Sequence, residues 1–430
     1  MSHDTRQLQA GGLARIEGEA SLRVVLDGDD VRDVELQIYE PPRFFEAFLR
    51  GRQHTEIPDI TSRICGICPV AYQSSGWRAI EDACDVAVGP PIAALRRLLY
   101  CGEWISSHAL HVYFLHAPDF LGYPDVVAMA AAHRHIVERG LALKKAGNAI
   151  LERVGGRAIH PVNTRIGGFF RAPTAADLGP LAEQLRRALD DALATVTWVA
   201  GFEFPELELD HHLLAVHDPD RYAIEGVEIT TSAGPAFPAA DFSSHVTETQ
   251  VPHSTALHAH LDGERYLAGP LARYTLNSAL LSPLAREAAA SAGLGATCRN
   301  LYRSIVVRAV EIVYAVDEAL RLIAEYEPPR PAAIEVPARA GVGHGISEAP
   351  RGLLYHRYEL DGAGLVRAAT IVPPTSQNQA AIEADMRRIV GANLHLDDAA
   401  LTALCERTIR SYDPCISCSA HFLDLRVDRR

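Results

Sequence analysis

Cysteine occurs as two Cys-x-x-Cys pairs near opposite ends of the chain, Cys65 and Cys68 in "SRICGICPV" and Cys415 and Cys418 in "SYDPCISCSAH". Thiolate is a soft donor, so such pairs point to zinc, nickel or iron before magnesium or calcium. About 350 residues separate the pairs. A site closed across that span ties the beginning of the fold to its end and lies at its centre. On spacing alone structural zinc is the simplest reading. Zinc ribbons, however, bring their second pair about 15–20 residues after the first, and they stabilise small modules that lack a core. A chain of 430 residues, 48% of them hydrophobic, needs no such help. Iron–sulfur sites gather at least three cysteines locally. The residues therefore favour a catalytic metal held in the core, with zinc still open.

The remaining cysteines, Cys84, Cys101, Cys298 and Cys405, are scattered and read as small buried hydrophobes. A net charge of -13 argues against nucleic acid or an anionic membrane as the main partner. The opening "MSHDTRQLQAGG" has neither the basic nor the apolar region of a signal peptide. No stretch is long and apolar enough for a membrane span. A cytoplasmic protein is expected, and disulfides are improbable there.

Alternation in "SLRVVLDGDDVRDVELQIYE" predicts a β-hairpin turning at Asp27–Asp30, followed by a short helix through "RFFEAFLRG". Helical periodicity dominates from Val70 to about Val154, from Ala176 to Gly201, and from Pro283 to about Tyr326. It returns in "SQNQAAIEADMRRIV" and "DAALTALCERTIRSY". The Pro-, Gly- and His-rich region from Phe202 to Leu280 predicts irregular structure with short strands, and "GLLYHRYELDGAGLVRAATIV" a second hairpin. "GVGHG" at Gly341 lacks the full glycine spacing of a dinucleotide loop. The cysteine pairs lie on either side of everything. That favours one intertwined unit over residues 1–430, mainly α with peripheral β-hairpins (α+β).

Beside the pairs, Gly66 lets the backbone approach a cluster, Pro414 stiffens the approach to Cys415, and Arg63 and Asp413 are candidates to hydrogen-bond around it. "RICGIC" together with "DPCISCSAH" resembles the large, catalytic subunit of nickel–iron hydrogenases. "ARIEGEASL", "EPPRFFEAFLRGR", "GGRAIHPVNTRIGGFF", "EAPRGLL" and "VPPTSQN" fall in family order, so the resemblance covers essentially the whole chain.

It implies Cys65 and Cys415 as terminal nickel ligands, with Cys68 and Cys418 bridging to an iron that carries carbon monoxide and cyanide. Arg351 in "EAPRG" matches an arginine over the site that bonds a cyanide, the plain alternative being a surface pair with Glu348. Thr375 matches a hydroxyl bonding another cyanide. Glu17 matches a proton-gate glutamate, a role suited to a carboxyl of raised pKa; the proton reaches it from Cys415 or Arg351. A magnesium is implied at Glu46, the Ile371 carbonyl and His421, with waters completing an oxygen-rich shell. The family's precursors lose an extension after the matching histidine, here residues 422–430, so a maturation protease is implied.

Tyr72 stands where many relatives have histidine, and Ser107 where many have aspartate, so oxygen tolerance and direction do not carry over. His108, His111 and His116 read as a helix face packing near the core. The resemblance implies H2 ⇌ 2H⁺ + 2e⁻, with electrons passing to an iron–sulfur small subunit. "CPVAYQ" and "EPPRFFEAFLRGR" are most similar to the soluble multi-subunit group in which a flavin-containing diaphorase-type subunit reduces NAD(P). The rival reading is a non-catalytic homologue, a structural or electron-transfer subunit.

Overall fold

A computed structural model describes residues 5–28, 30–222 and 224–420. Its interior is helical. Pro90–Leu110 lies between Val126–Gly155 and Ser304–Ala324, and Ala175–Ala200 packs on the last of these. The apolar run "SIVVRAVEIVYAV" buries Ile305 through Val316 on every face, as a helix enclosed on all sides must. The expected helix from Pro283 to Tyr326 is in fact two, Pro283–Ser291 and Ser304–Ala324. Gly293, with φ of +67°, turns the chain between them. The long helical stretch after Val70 is likewise cut at the Cys84 segment and again at Gly122, another left-handed residue.

The first hairpin forms as expected, Ala20–Asp27 with Asp30–Ile38, and Thr5–Ala10 adds a third antiparallel strand. The second hairpin, Gly352–Leu360 with Val366–Val372, is extended by Gly341–Ala349 and by Glu225–Gly226. "GVGHG" is the start of that added strand. Its glycines at 341, 343 and 345 all lie against one helix, Pro69–Ala83. A Cβ at each would collide with the carbonyl oxygen of Ala83, Ala79 or Ser75. The glycine run is therefore a flat seat for a helix, which explains a spacing unlike that of a phosphate loop.

Between Phe202 and Leu280 lie His212–His217, Glu228–Thr231 and a Val246–Gln250/Leu257–Leu261 hairpin, with a helix at Pro270–Asn277. An isolated parallel bridge joins Glu17 to Cys415, so the first and last parts of the chain meet backbone to backbone. Among the described residues no helix is long and apolar enough to cross a membrane.

Candidate metal centre

The two cysteine pairs converge. Cys65 and Cys68 precede the Pro69–Ala83 helix, and the amides of Ile67 and Cys68 donate to Cys65 Sγ at 3.3 and 3.4 Å. Cys415 and Cys418 lie on a single turn after the Asp398–Tyr412 helix. Cys65 Sγ is 3.6 Å from Cys415 Sγ, Cys68 Sγ is 3.5 Å from Cys418 Sγ, and Cys415 and Cys418 are 2.7 Å apart. All four are free thiols and buried, and their sulfurs lie within 4.8 Å of one another. Hydrogen bonds from Cys415, Cys418 and Cys68 outweigh burial and hold Cys65 well below the usual thiol range, whereas burial pushes Cys415 up. Such a set loses its protons in successive steps that belong to the set and not to any one thiol. A soft cation that stabilises thiolate resolves the crowding.

The C-terminal pair is aimed by Asp413. This residue ends the Asp398–Tyr412 helix in the left-handed region, φ 55°, which Asp tolerates better than bulky residues. Arg351 Nε donates to its carbonyl at 2.9 Å, and Nη2 to its carboxylate at 3.0 Å. Arg308 Nε stands 3.9 Å from the other carboxylate oxygen. Burial raises the Asp413 carboxyl, against both guanidiniums. Arg351 is 2% exposed, so the surface pair with Glu348 does not form; Glu348 is buried against Arg273. Burial opposes the Arg351 charge, but Asp413, Cys415, Cys68 and Cys65 outweigh it. Its Nη1 is buried with no hydrogen-bond partner among the described residues. A buried donor beside four sulfurs suits a small anionic ligand on a metal there.

Glu17 also joins the site. Its Oε2 accepts from Cys415 Sγ at 3.1 Å and from the Ser417 amide at 3.0 Å. Thr375, at the start of the Pro374–Ala392 helix, accepts the Cys415 amide at 2.9 Å, leaving its own proton to donate. Arg63 does not take part. It pairs with Asp59 one helical turn away, and both side chains are well exposed. Tyr72 is buried facing Cys418; burial and the sulfurs of Cys418, Cys68 and Cys415 push its hydroxyl far up. Ser107 is also buried.

The three histidines do pack, as expected. His111 Nε2 reaches the Arg410 carbonyl at 2.8 Å, His116 Nε2 the Ser411 hydroxyl at 3.1 Å, and His108 lies 3.0 Å from Glu311. His111 and His116 clamp the end of the helix that delivers Asp413, while His108 packs on the Ser304–Ala324 helix. His111–His116 forms a π-helical segment continuing Pro90–Leu110.

Glu46 and Ile371 also come together, although it is the Ile371 amide that donates to Glu46, at 2.7 Å. Burial pushes the Glu46 carboxyl up to about 7, against that amide and Arg50. Glu248, which sequence reading missed, is pushed up to about 8 by burial and by Glu46. Two crowded carboxyls suit a hard cation. His421 and residues 422–430 lie outside the described residues.

Two further residues were not foreseen. Fully buried Glu103 accepts the amides of Val70 at 2.6 Å and Ala71 at 3.1 Å, fixing the helix start beside Cys68. Arg43 donates to the Ile64 carbonyl at 2.7 Å and to that of Ser417, stitching one cysteine segment to the other. The signal available for Glu103 was a lone carboxylate in the apolar run "LLYCGEWISSHAL".

Four buried thiols from the two ends of a chain, with a buried guanidinium and a carboxylate against them, define a soft-metal oxidoreductase centre. The model of the nickel-dependent hydrogenase family matches residues 43–180 and 262–421, and the chain belongs to that family as a large subunit. Sulfhydrogenase 1 subunit alpha of Pyrococcus furiosus is 34% identical, over 96% of this chain and 97% of that protein. The NAD-reducing hydrogenase HoxS subunit beta of Cupriavidus necator is 27% identical, over 97% and 95%. The fold superposes on a crystal structure of an NAD+-reducing [NiFe]-hydrogenase in the H2-reduced state with a TM-score of 0.85, at 24% identity, covering 97% of this chain and 99% of that one. The enzyme is thus a nickel–iron hydrogenase, and the readings of zinc and of a non-catalytic homologue fall away.

Proposed function

We propose that the four thiolates hold nickel and iron as the resemblance implies, Cys65 and Cys415 terminal on nickel, Cys68 and Cys418 shared with iron. The observation that carries this is the buried four-sulfur set with Glu17 Oε2 3.1 Å from Cys415 Sγ. The bound group supplies the Lewis acidity and reversible electron storage that split H2 into protons and electrons. The chain supplies the rest. Cys415 Sγ takes the proton, and one hydrogen bond passes it to Glu17, which is half-buried and so leads outward. Arg351, fixed by two bonds to Asp413, keeps Nη1 free for a cyanide. The Thr375 hydroxyl donates to the other, while its oxygen holds the Cys415 backbone in place.

Magnesium sits at Glu46, the Ile371 carbonyl and His421, relieving the crowding with Glu248. A maturation protease removes residues 422–430 and leaves His421 as the last residue. Electrons leave to an iron–sulfur small subunit and then, through flavin-containing diaphorase-type subunits, to NAD(P), in the cytoplasm. The sulfhydrogenase and NAD-reducing relatives support this route. Tyr39, Phe44 and Phe48, large side chains left exposed on either side of Glu46, suit a surface that a partner subunit covers.

Infrared spectroscopy of the purified complex tests the centre, because metal-bound carbon monoxide and cyanide absorb where proteins do not. Those bands are expected in the native enzyme and absent in Cys415→Ala, which loses H2 turnover. Glu17→Gln is expected to keep the bands while turnover falls at least about a hundredfold. Full turnover in either variant overturns the assigned roles.

A further inference from the structure

The His-rich segment "VPHSTALHAH" is not used by the hydrogenase centre. Two of its histidines meet the Pro374–Ala392 helix. His253, in the turn between Val246–Gln250 and Leu257–Leu261, places Nε2 2.8 Å from Glu383 Oε1. His258, on the second of these strands, places Nε2 3.8 Å from the same oxygen. One ligand atom from each residue lies within 4.8 Å of the others. The Leu36 amide, from the N-terminal sheet, donates to Glu383 Oε1 at 2.9 Å and orients the carboxylate from behind.

His258 gives the decisive sign. The residue is 5% exposed, yet its Nε2 has no hydrogen-bond partner among the described residues. A buried ring nitrogen left unpaired beside a carboxylate is costly unless something lies between them.

We infer that His253, His258 and Glu383 bind a zinc-class divalent cation outside the hydrogenase centre. Two imidazoles and a carboxylate suit zinc, with bonds of about 2.0–2.2 Å, which small side-chain rotations reach from the observed spacing. His253 and Glu383 are partly exposed, so water completes a tetrahedral shell. Such an ion joins three parts of the fold: the Val246–Leu261 hairpin, the N-terminal sheet through Leu36, and the helix whose first turn holds Cys415 through Thr375. It is a clamp on the helix behind the metal centre and takes no part in its chemistry.

The test uses the assembled, nickel-loaded complex, in which the four cysteines are already occupied. After dialysis against a mild zinc chelator, Co²⁺ is titrated as a coloured substitute and Zn²⁺ is used to displace it. One cobalt per chain is expected, with visible bands of a tetrahedral N/O site and no near-ultraviolet thiolate band. His258→Asn and Glu383→Gln should each weaken binding more than about tenfold, since even outer-shell partners are worth about 10–100-fold. Glu383→Gln should retain H2 turnover. Should His258→Asn misfold, the more exposed His253→Asn serves in its place. No cobalt band at about 100 µM, a thiolate band, or equal binding by the variants would each overturn the inference.

Discussion

Asp413 shows how much a single residue positions at this centre. Its left-handed backbone turns the chain from helix into the Pro414–Cys415 segment, and its carboxylate is the counter-ion of two buried arginines. Removing that charge leaves Arg351 and Arg308 uncompensated in the interior, a loss of about 3–5 kcal/mol. Asp413→Ala should therefore lower the unfolding midpoint sharply. Asp413→Asn, which keeps the turn and an acceptor for Arg351 but removes the same charge, should lose nearly as much. A loss less than half as large in Asp413→Asn would mean that the turn, and not the charge, governs stability. Gly18 makes a second point of the same kind. At φ +87° its missing side chain leaves room for Glu40 and for Ile416, the first of the two residues between the last cysteines. Gly18→Ala should thus impair metal loading without touching a ligand, seen as a lower nickel content per chain.

Among elements, the strand Gly341–Ala349 and the helix Pro69–Ala83 are matched by subtraction of side chains. Gly343→Ala drives a methyl into the Ala79 carbonyl, so it should cost about 2–3 kcal/mol or lower the soluble yield, while Gly362→Ala in the exposed turn should cost under about 1 kcal/mol. A larger effect at 362 than at 343 would refute this packing argument. The strand was invisible to periodicity because its glycines carry no hydropathy pattern, and its partner is a helix some 270 residues away.

The four cysteines and Glu17, Arg351 and Thr375 were readable because each stands in a short, ordered motif. Glu103, Arg308 and Arg43 were not. One charge in an apolar run announces burial but never names its partner. The Ser304–Ala324 helix carries two more such charges, Glu311 and Glu318. Arg273 donates to Glu311 at 2.8 and 2.9 Å, and Arg97 and Arg321 donate to Glu318. Both carboxyls overcome burial and fall to about 2. A depressed carboxyl contributes stability above its unfolded value, near 4.5, and loses it as pH falls through its folded value. Glu348, also on Arg273, is pushed up to about 7 by burial, so it lowers stability as pH rises from about 4.5 to 7 and adds no slope below that window. The denaturation midpoint should therefore drop between about pH 4.5 and 2, and that drop should be smaller in Arg273→Met, whose overall stability is lower by about 3–5 kcal/mol. An identical acid slope in the variant would refute the assignment to Glu311.

At the level of the whole molecule, the centre closes a loop of 350 residues between its cysteine pairs. Its parts come from residues 13–19, from 43–46 and 63–71, from 348–351 and from 411–420, and direct bonds tie them in pairs: Glu17 to Cys415 and Ser417, Arg43 to Ile64 and Ser417, Arg351 to Asp413. Folding must hold these ends together before any metal rewards it, and closing so long a loop is entropically costly. A ligand that binds only the closed form stabilises it by mass action. The protection conferred by nickel and iron should therefore appear at distant places at once. Hydrogen–deuterium exchange on the metal-free chain should show 13–19, 63–71 and 411–420 exchanging faster than the buried Ser304–Ala324 helix. On loading, all three should slow together and by a similar factor. In Cys65→Ser the C-terminal segment should fail to gain protection although its own two cysteines are intact. If 411–420 instead gains full protection in that variant, each cysteine pair binds metal by itself, and a single centre joining both ends of the chain is excluded.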